Sequence, residues 1–205
     1  SAVLLLPVVF LAGWQPLLTD VGIWMFLALA NLFYFVDATA LANRGGQIRK
    51  SNHQREYRLS TMTSLTLLVV FWAAIVERTA SQSPFGYGTY AGFLIMTSGI
   101  VLRFLATRAL GAAFVSEIDC GQGQPLVKRG IYGFLRHPSE TGLLAIGVGA
   151  CIFLESWASA CIASAALAPL VLCRVRWEDR FLESVFGDDF RAYQSRVKGL
   201  GLFIY

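Results

Sequence analysis

Long apolar runs dominate the pattern of hydrophobic and polar positions along this chain. The runs without a charged residue are 1–19, 21–36, 59–76, 79–102, 141–154 and 156–173. A helix that crosses the hydrocarbon core of a bilayer needs about 20 mostly apolar residues. Helices are expected because unpaired backbone groups are costly in lipid, and the alternating pattern of a transmembrane barrel is missing. The pattern therefore predicts an all-α, polytopic transmembrane bundle.

Six membrane segments are predicted. They cover about 2–18, 21–42, 59–76, 90–110, 139–154 and 157–173. The first lacks the basic start and cleavage site of a signal peptide, so we interpret it as a first span or part of one. The last two form a hairpin that turns at Glu155–Ser156. The fifth is short for a bilayer, since a helix rises only about 1.5 Å per residue.

A different pattern follows the last apolar run. After Arg176, apolar and charged residues alternate at helical spacing, which predicts a short amphipathic helix on the cytoplasmic face, ended by Gly187, with a further short helix after it. The whole chain, 1–205, is interpreted as one membrane domain. Its N-terminal transmembrane helices occupy 1–110, and a connector, the hairpin and the C-terminal helices occupy 111–205.

Composition supports a membrane protein. Hydrophobic residues make up 56 % of the chain and charged residues 15 %, against averages of about 45–50 % and about 25 % in soluble domains. The mean hydropathy is +0.57. A soluble protein with six fully buried helices is excluded, because 205 residues cannot enclose them.

Basic residues cluster in alternate connections of the chain. The net charge is +4, and the loop after the second segment, the connector before the hairpin and the C-terminal tail hold most of the Lys and Arg residues. Basic loops stay on the cytoplasmic side of a membrane. This distribution predicts that both termini and the basic connections are cytoplasmic, and it explains the charge without a nucleic-acid partner.

The cysteines do not indicate a metal site. Cys151, Cys161 and Cys173 lie in apolar segments, where they suit helix packing. No pair has the spacing of metal ligands, and the chain has two histidines. We predict no bound metal.

Two polar clusters flank the hairpin and are the candidates for chemistry. Arg136 and His137 precede Pro138, which favours the first turn of a helix and so places His137 at the positive end of the helix dipole. Arg174 and Glu178 are four residues apart, hence on one face of a helix. Composition alone favours the interpretation that these polar residues anchor helix ends to lipid headgroups. However, an ionisable residue near membrane depth usually has a partner or a function, and the hairpin would bring both clusters together.

These residues also resemble a known family. The run Leu-Val-x-x-Gly-x-Tyr-x-x-x-Arg-His-Pro-x-x-x-Gly, from Leu126 to Gly142, is similar to the signature of isoprenylcysteine carboxyl methyltransferases, to which phospholipid methyltransferases are more distantly related. The run Arg-x-x-x-Glu-Asp-x-x-Leu-x-x-x-Phe-Gly, from Arg174 to Gly187, resembles the second motif of the same family. The resemblance covers roughly the last hundred residues.

The resemblance implies a membrane-embedded methyltransferase that uses S-adenosylmethionine and releases S-adenosylhomocysteine. The acceptor would be a hydrophobic or prenylated small molecule or peptide that arrives through the bilayer, with a carboxylate that Arg174 orients. Cofactor contacts would come from the connector, from His137 and from the acidic pair of the second motif. The residues implied are Gln124, Leu126, Val127, Tyr132, His137, Glu178 and Asp179.

One departure from the family pattern bears on the acceptor. The family usually has Tyr two residues after the Pro, and this chain has Glu140. The extra carboxylate makes a basic acceptor, or one that needs a general base, more plausible, with Glu140 or His137 as the base. Two other functions stay open from the sequence. One is an NADPH-dependent membrane sterol or steroid reductase, and the other is a non-catalytic membrane scaffold.

Overall fold

A computed structural model describes residues 19–42, 54–81, 84–110 and 126–200 of the 205. The first predicted segment, residues 43–53 of the basic loop after the second segment, and Gln124 lie outside the described residues.

The described chain is built from helices, as predicted. Shortly before Pro138 it also forms a single turn of 3₁₀ helix, Gly130–Gly133. The helices are α1 (Val21–Ala42), α2 (Gln54–Ser81), α3 (Tyr87–Leu110), α4 (Pro138–Phe153), α5 (Trp157–Phe186) and α6 (Asp188–Gln194).

Four of the described helices are long and apolar enough to cross a membrane. They contain the stretches Val21–Thr39, Arg58–Ser81, Tyr87–Leu110 and Trp157–Phe186. Helix α4 is apolar but has 16 residues, a length of roughly 24 Å. The prediction of a polytopic helical membrane protein is confirmed, and the short fifth segment is short in the structure as well.

The helix boundary expected near Arg176 is absent. Helix α5 continues unbroken for 30 residues and includes both the sixth apolar segment and the charged stretch after it. No Gly or Pro lies between 170 and 186, so nothing in the local sequence interrupts the backbone hydrogen bonds. Gly187 ends the helix at a φ of 53°, a left-handed conformation that glycine adopts without strain.

Small residues allow α3 and α4 to pack closely along their lengths. A Cβ atom on Gly99 would lie 2.7 Å from the carbonyl oxygen of Gly142, and a Cβ atom on Gly92 would lie 2.1 Å from the backbone nitrogen of Phe153. Close backbone approach through glycine is the common way for helices to associate in lipid, where apolar side chains gain little by leaving the bilayer.

The turn between α4 and α5 determines which ends of the helices meet. Glu155 adopts a φ of 55° there, and the Ser156 hydroxyl donates a 2.7 Å hydrogen bond to the carbonyl oxygen of Ala74 in α2. Since α4 and α5 run antiparallel from this turn, the start of α4 and the second half of α5 lie at the same end of the bundle. We call this the Arg174 end, and the opposite one the Glu155 end.

Candidate functional site

The tail after α6 holds the start of α4 in place. Residues 198–199 run beside the connector, where the backbone N–H groups of Arg136 and His137 donate to the carbonyl oxygens of Lys198 (2.8 Å) and Gly199 (3.1 Å). The Tyr193 hydroxyl donates a 2.6 Å hydrogen bond to the carbonyl oxygen of Tyr132. The position of His137 therefore depends on the last described residues of the chain.

A cavity of about 240 Å³ opens at the Arg174 end. Helices α1 to α5 and the connector all contribute to its walls. Five of the residues predicted from the sequence line it, and they come from both polar clusters: Tyr132, His137, Glu140, Arg174 and Glu178. The hairpin thus brings the two clusters together around one space.

His137 lies between two carboxylates. Its Nδ1 atom is 3.3 Å from Oε2 of Glu178, and its Nε2 atom is 2.8 Å from Oδ1 of Asp179. A neutral imidazole has one N–H and could donate to only one of them, whereas the protonated ring donates to both. Burial alone would lower the pKa of His137, but the charges and hydrogen bonds of Glu178 and Asp179 outweigh it and raise this pKa to about 10.

The charged state of His137 decides what this residue can do. An imidazolium has no free lone pair, so His137 is a poor general base near neutral pH. The sequence left this role open to His137. Its geometry instead suits the task of holding Glu178 at the cavity wall.

Asp179 does not line the cavity but supports residues that do. The residue is 6 % exposed, and its two oxygens are engaged by His137 and by Nη1 of Arg136, the latter at 3.2 Å. It does not contribute to the cavity lining in the part of the chain that the structure describes. Contact between Asp179 and a cofactor stays a prediction, and the geometry favours an indirect role through His137.

Arg174 and Glu140 form the second charged group of the cavity. Nη2 of Arg174 lies 3.0 Å from Oε1 of Glu140. The Glu140 side chain is 7 % exposed, and its other oxygen, Oε2, has no hydrogen-bond partner among the described residues. A buried carboxylate oxygen without a partner is costly, and because Glu140 lines the cavity, a hydrogen-bond donor that reached this oxygen from a bound molecule would remove that cost.

A third charged group was missed by the sequence analysis. Arg103 in α3 donates through Nε and Nη2 to both oxygens of Asp37 in α1, at 2.6 and 3.1 Å. Its Nη1 donates to the carbonyl and hydroxyl oxygens of Ser139. Two charge-free runs end immediately before Asp37 and Arg103. Opposite charges at the same predicted end of two spans were the signal that could have identified this pair.

The connector residues implied by the family resemblance lie elsewhere. Leu126 packs against the buried cluster of Leu182, Phe190 and Tyr193, and Val127 packs against the buried cluster of Ala106, Leu110 and Tyr132. Neither side chain lines the cavity. Contact between these two residues and a cofactor stays a prediction.

Aromatic and apolar side chains complete the cavity. The rings of Trp177 and Phe181 stack at a centroid distance of 5.8 Å and 7° between their planes, and both line the space together with Phe33, Leu67 and Leu143. The cavity therefore combines three paired charged groups with apolar walls. This combination suits a ligand that is polar at one end and hydrophobic at the other.

Comparison with known proteins agrees with this description. A family model described as phospholipid methyltransferase matches residues 87–189. A probable protein-S-isoprenylcysteine O-methyltransferase of Oryza sativa subsp. indica is 29 % identical over 111 residues, which are 53 % of this chain and 58 % of the relative.

The corresponding enzyme of Schizosaccharomyces pombe is 31 % identical over 108 residues, 52 % of this chain and 45 % of the relative. The human protein-S-isoprenylcysteine O-methyltransferase is 28 % identical over 153 residues, 71 % of this chain and 51 % of the relative. The chain thus spans about half the length of these relatives.

Proposed function

Because the chain belongs to the phospholipid methyltransferase family, we propose that it transfers a methyl group from S-adenosylmethionine to the carboxylate of a hydrophobic, membrane-borne acceptor of the isoprenylcysteine type. The observation that carries the proposal is the meeting of two sequence-distant polar clusters around one cavity. His137 and Glu178 lie in contact there, and Arg174 contributes to the same wall.

The residues around Glu178 are suited to hold the cofactor. S-adenosylmethionine carries a sulfonium methyl group, an α-ammonium group and an adenine base, and it supplies the methyl group when bound. The described residues engage one oxygen of Glu178, Oε2, through His137, and Glu178 is partly exposed at the cavity wall. Its carboxylate can therefore accept from an ammonium group, and the aromatic surface of Trp177 and Phe181 suits a flat base.

Arg174 is suited to hold the acceptor carboxylate. A guanidinium has five N–H donors, and the described residues give Arg174 one ion-pair partner, Glu140. Arg103 is different, because all three of its nitrogens already donate to Asp37 or Ser139. Arg136 also lines the cavity and its Nε has no partner among the described residues, but its side chain is 3 % exposed and its Nη1 is held by Asp179. Arg174 is 23 % exposed and so presents its remaining donors to the cavity, where two parallel N–H···O bonds would orient a carboxylate.

Methyl transfer to a carboxylate requires little of the protein beyond correct positioning of the two reactants. A carboxylate is already a nucleophile, so no residue has to remove a proton from it, and the charged state of His137 is no obstacle. What the chain supplies is alignment of the acceptor and exclusion of water, which are large contributions to a displacement reaction. The apolar walls of the cavity serve the second purpose.

The site would face the cytoplasm. Lys128, Arg129 and Arg136 precede α4 at the Arg174 end, and the family's cofactor is a cytosolic metabolite. The hydrophobic part of the acceptor would enter from the bilayer between the helices. Neither the reductase nor the scaffold alternative gains support from the family match or from the relatives.

The proposal is tested with purified full-length protein in detergent or lipid vesicles. We expect S-adenosylhomocysteine to bind and NADPH not to, measured by isothermal titration calorimetry. With S-adenosylmethionine radiolabelled in the methyl group, label should enter S-farnesyl-L-cysteine or N-acetyl-S-farnesyl-L-cysteine as a base-labile ester. Binding of NADPH alone, or of neither nucleotide, would contradict the proposal.

A further inference from the structure

The spare oxygen of Glu140 is the starting point for a second proposal, which rests on the proposed function. Among the carboxylates that line the cavity, Asp37 has both oxygens engaged by Arg103. Glu178 has Oε2 engaged by His137, and Glu140 has Oε1 engaged by Arg174. Two carboxylates thus remain that could each accept from one more cation.

These two carboxylates belong to different charged groups. Glu178 is held through His137 to Asp179 and Arg136. Glu140 forms its one ion pair among the described residues with Arg174, and the charge of Arg103 lies close enough to interact with it. If the Glu178 group binds the ammonium of the cofactor, the Glu140 oxygen lies beside the arginine that holds the acceptor. Its natural partner is then a donor on the acceptor itself.

The Arg174–Glu140 pair is complementary to an α-amino acid. A guanidinium with free N–H groups binds a carboxylate, and a carboxylate oxygen without a partner binds an ammonium or an amide N–H. In an α-amino acid these two groups are separated by one carbon atom. Arg174 and Glu140 are in direct contact at 3.0 Å, so they can reach neighbouring groups of one small head.

We propose that Glu140 makes this site selective for acceptors that carry a nitrogen donor, above all a free ammonium, on the carbon next to the methyl-accepting carboxylate. The preferred acceptor is a hydrophobic amino acid with a free α-amino group. An acceptor whose nitrogen is acylated retains one uncharged N–H and binds less well. An acceptor without the nitrogen leaves the Glu140 oxygen buried and unpaired, which is the most costly case.

Three acceptors that differ only at this nitrogen test the proposal. They are S-farnesyl-L-cysteine with an ammonium, N-acetyl-S-farnesyl-L-cysteine with an amide, and 3-(farnesylthio)propanoic acid with neither. We expect kcat/KM of the full-length protein to fall in this order, by about tenfold to a hundredfold between the first and the last, since a charge-assisted hydrogen bond is at stake. This measurement uses the unaltered protein and so does not depend on the folding of a variant.

The substitution Glu140→Gln then tests whether Glu140 causes the preference for an acceptor with a free ammonium group. It keeps the size of the side chain and removes its charge, so the ratio of kcat/KM for the ammonium acceptor over the amide acceptor should fall by about tenfold. Glu183→Gln is the matched control, because Glu183 lies on α5 in an exposed pair with Arg191. That variant should leave the ratio as it is in the unaltered protein.

Binding of S-adenosylhomocysteine separates this proposal from a cofactor role for Glu140, since the cofactor is also an α-amino acid. Its affinity should stay within about threefold in Glu140→Gln. A much weaker affinity would place Glu140 in the cofactor site and overturn the proposal. Equal rates with all three acceptors, or a preference that Glu140→Gln leaves intact, would also overturn it while leaving methyl transfer standing. Label in none of the acceptors would overturn both proposals.

Discussion

The two ends of the bundle use carboxylates in opposite ways. At the Glu155 end, Glu77 accepts hydrogen bonds from the backbone nitrogens of Ala158 (3.0 Å) and Ser159 (2.8 Å) at the start of α5. Glu155 accepts from the backbone nitrogen of Thr89, at 2.7 Å, at the start of α3. Each of these carboxylates satisfies N–H groups that a helix start leaves without partners inside the helix.

At the Arg174 end the carboxylates face side chains and a cavity. Glu140 and Glu178 are paired with Arg174 and His137. Glu140 lies in the first turn of α4, but neither carboxylate accepts a hydrogen bond from a backbone N–H group in the described part of the chain. The carboxylates at the Glu155 end therefore satisfy backbone N–H groups and stabilise the fold, whereas those at the Arg174 end line a cavity where a ligand can bind. The same residue type supports stability at one end and recognition at the other.

The largest expected effect is at the Arg174 end. Glu178→Gln removes the charge that we assign to cofactor binding, and it weakens the contact by which His137 holds residue 178 at the cavity wall. We therefore expect kcat/KM for methyl transfer to fall by about a hundredfold or more. Steady-state kinetics with radiolabelled S-adenosylmethionine measure it, with Glu183→Gln as the control on the same helix. A fall of less than threefold would remove Glu178 from the site.

A pH dependence should follow from His137. Its pKa is raised from 6.5 to about 10 in the folded protein, so its contribution to stability is complete below pH 6.5 and is lost as the pH rises to 10. The slope of the free energy of unfolding is at most about 1.4 kcal/mol per pH unit. Unfolding in detergent from pH 6 to 10 measures it, and His137→Gln should flatten this part of the profile. An unchanged slope in that variant would contradict the assignment.

The smallest effect is expected at the Glu155 end. Glu77→Gln weakens the hydrogen bonds that Ala158 and Ser159 donate, at a cost of about 1 kcal/mol in the free energy of unfolding. The thermal midpoint in detergent should fall slightly while kcat/KM stays unchanged. Since the same substitution at Glu178 should act mainly on activity, a loss of activity without a loss of stability in Glu77→Gln would contradict the distinction between the two ends.

Much of the fold could be predicted because lipid imposes a simple rule on sequence. A run of apolar residues long enough to cross the bilayer has to be a helix, so the range predicted for α1, 21–42, agrees with the structure. The ends of the helices were harder to predict. Helix α2 extends from Gln54 to Ser81, beyond the apolar run at both ends, because a helix can continue into water on polar residues once its apolar part is fixed.

Part of the candidate site was also readable. His137, Glu140, Arg174 and Glu178 were selected from local spacing and from a family pattern, and all four line the cavity. The partners of these residues were not readable. Spacing along α5 placed Arg174 and Glu178 on one face of a helix but gave no partners for them. In the structure Arg174 pairs with Glu140 of α4, and Glu178 pairs with His137.

The sequence by itself determined that this is a helical membrane protein whose polar clusters flank a short hairpin, because hydrophobicity and charge act locally on each segment. The tertiary structure alone decided which charges meet. The approach of α3 to α4 through glycines, the contact of the tail with the connector and the pairing of Arg103 with Asp37 join residues far apart in the chain. Pairing of buried charges depends on distances of a few ångströms between separate helices, and the order of residues along one chain does not contain those distances.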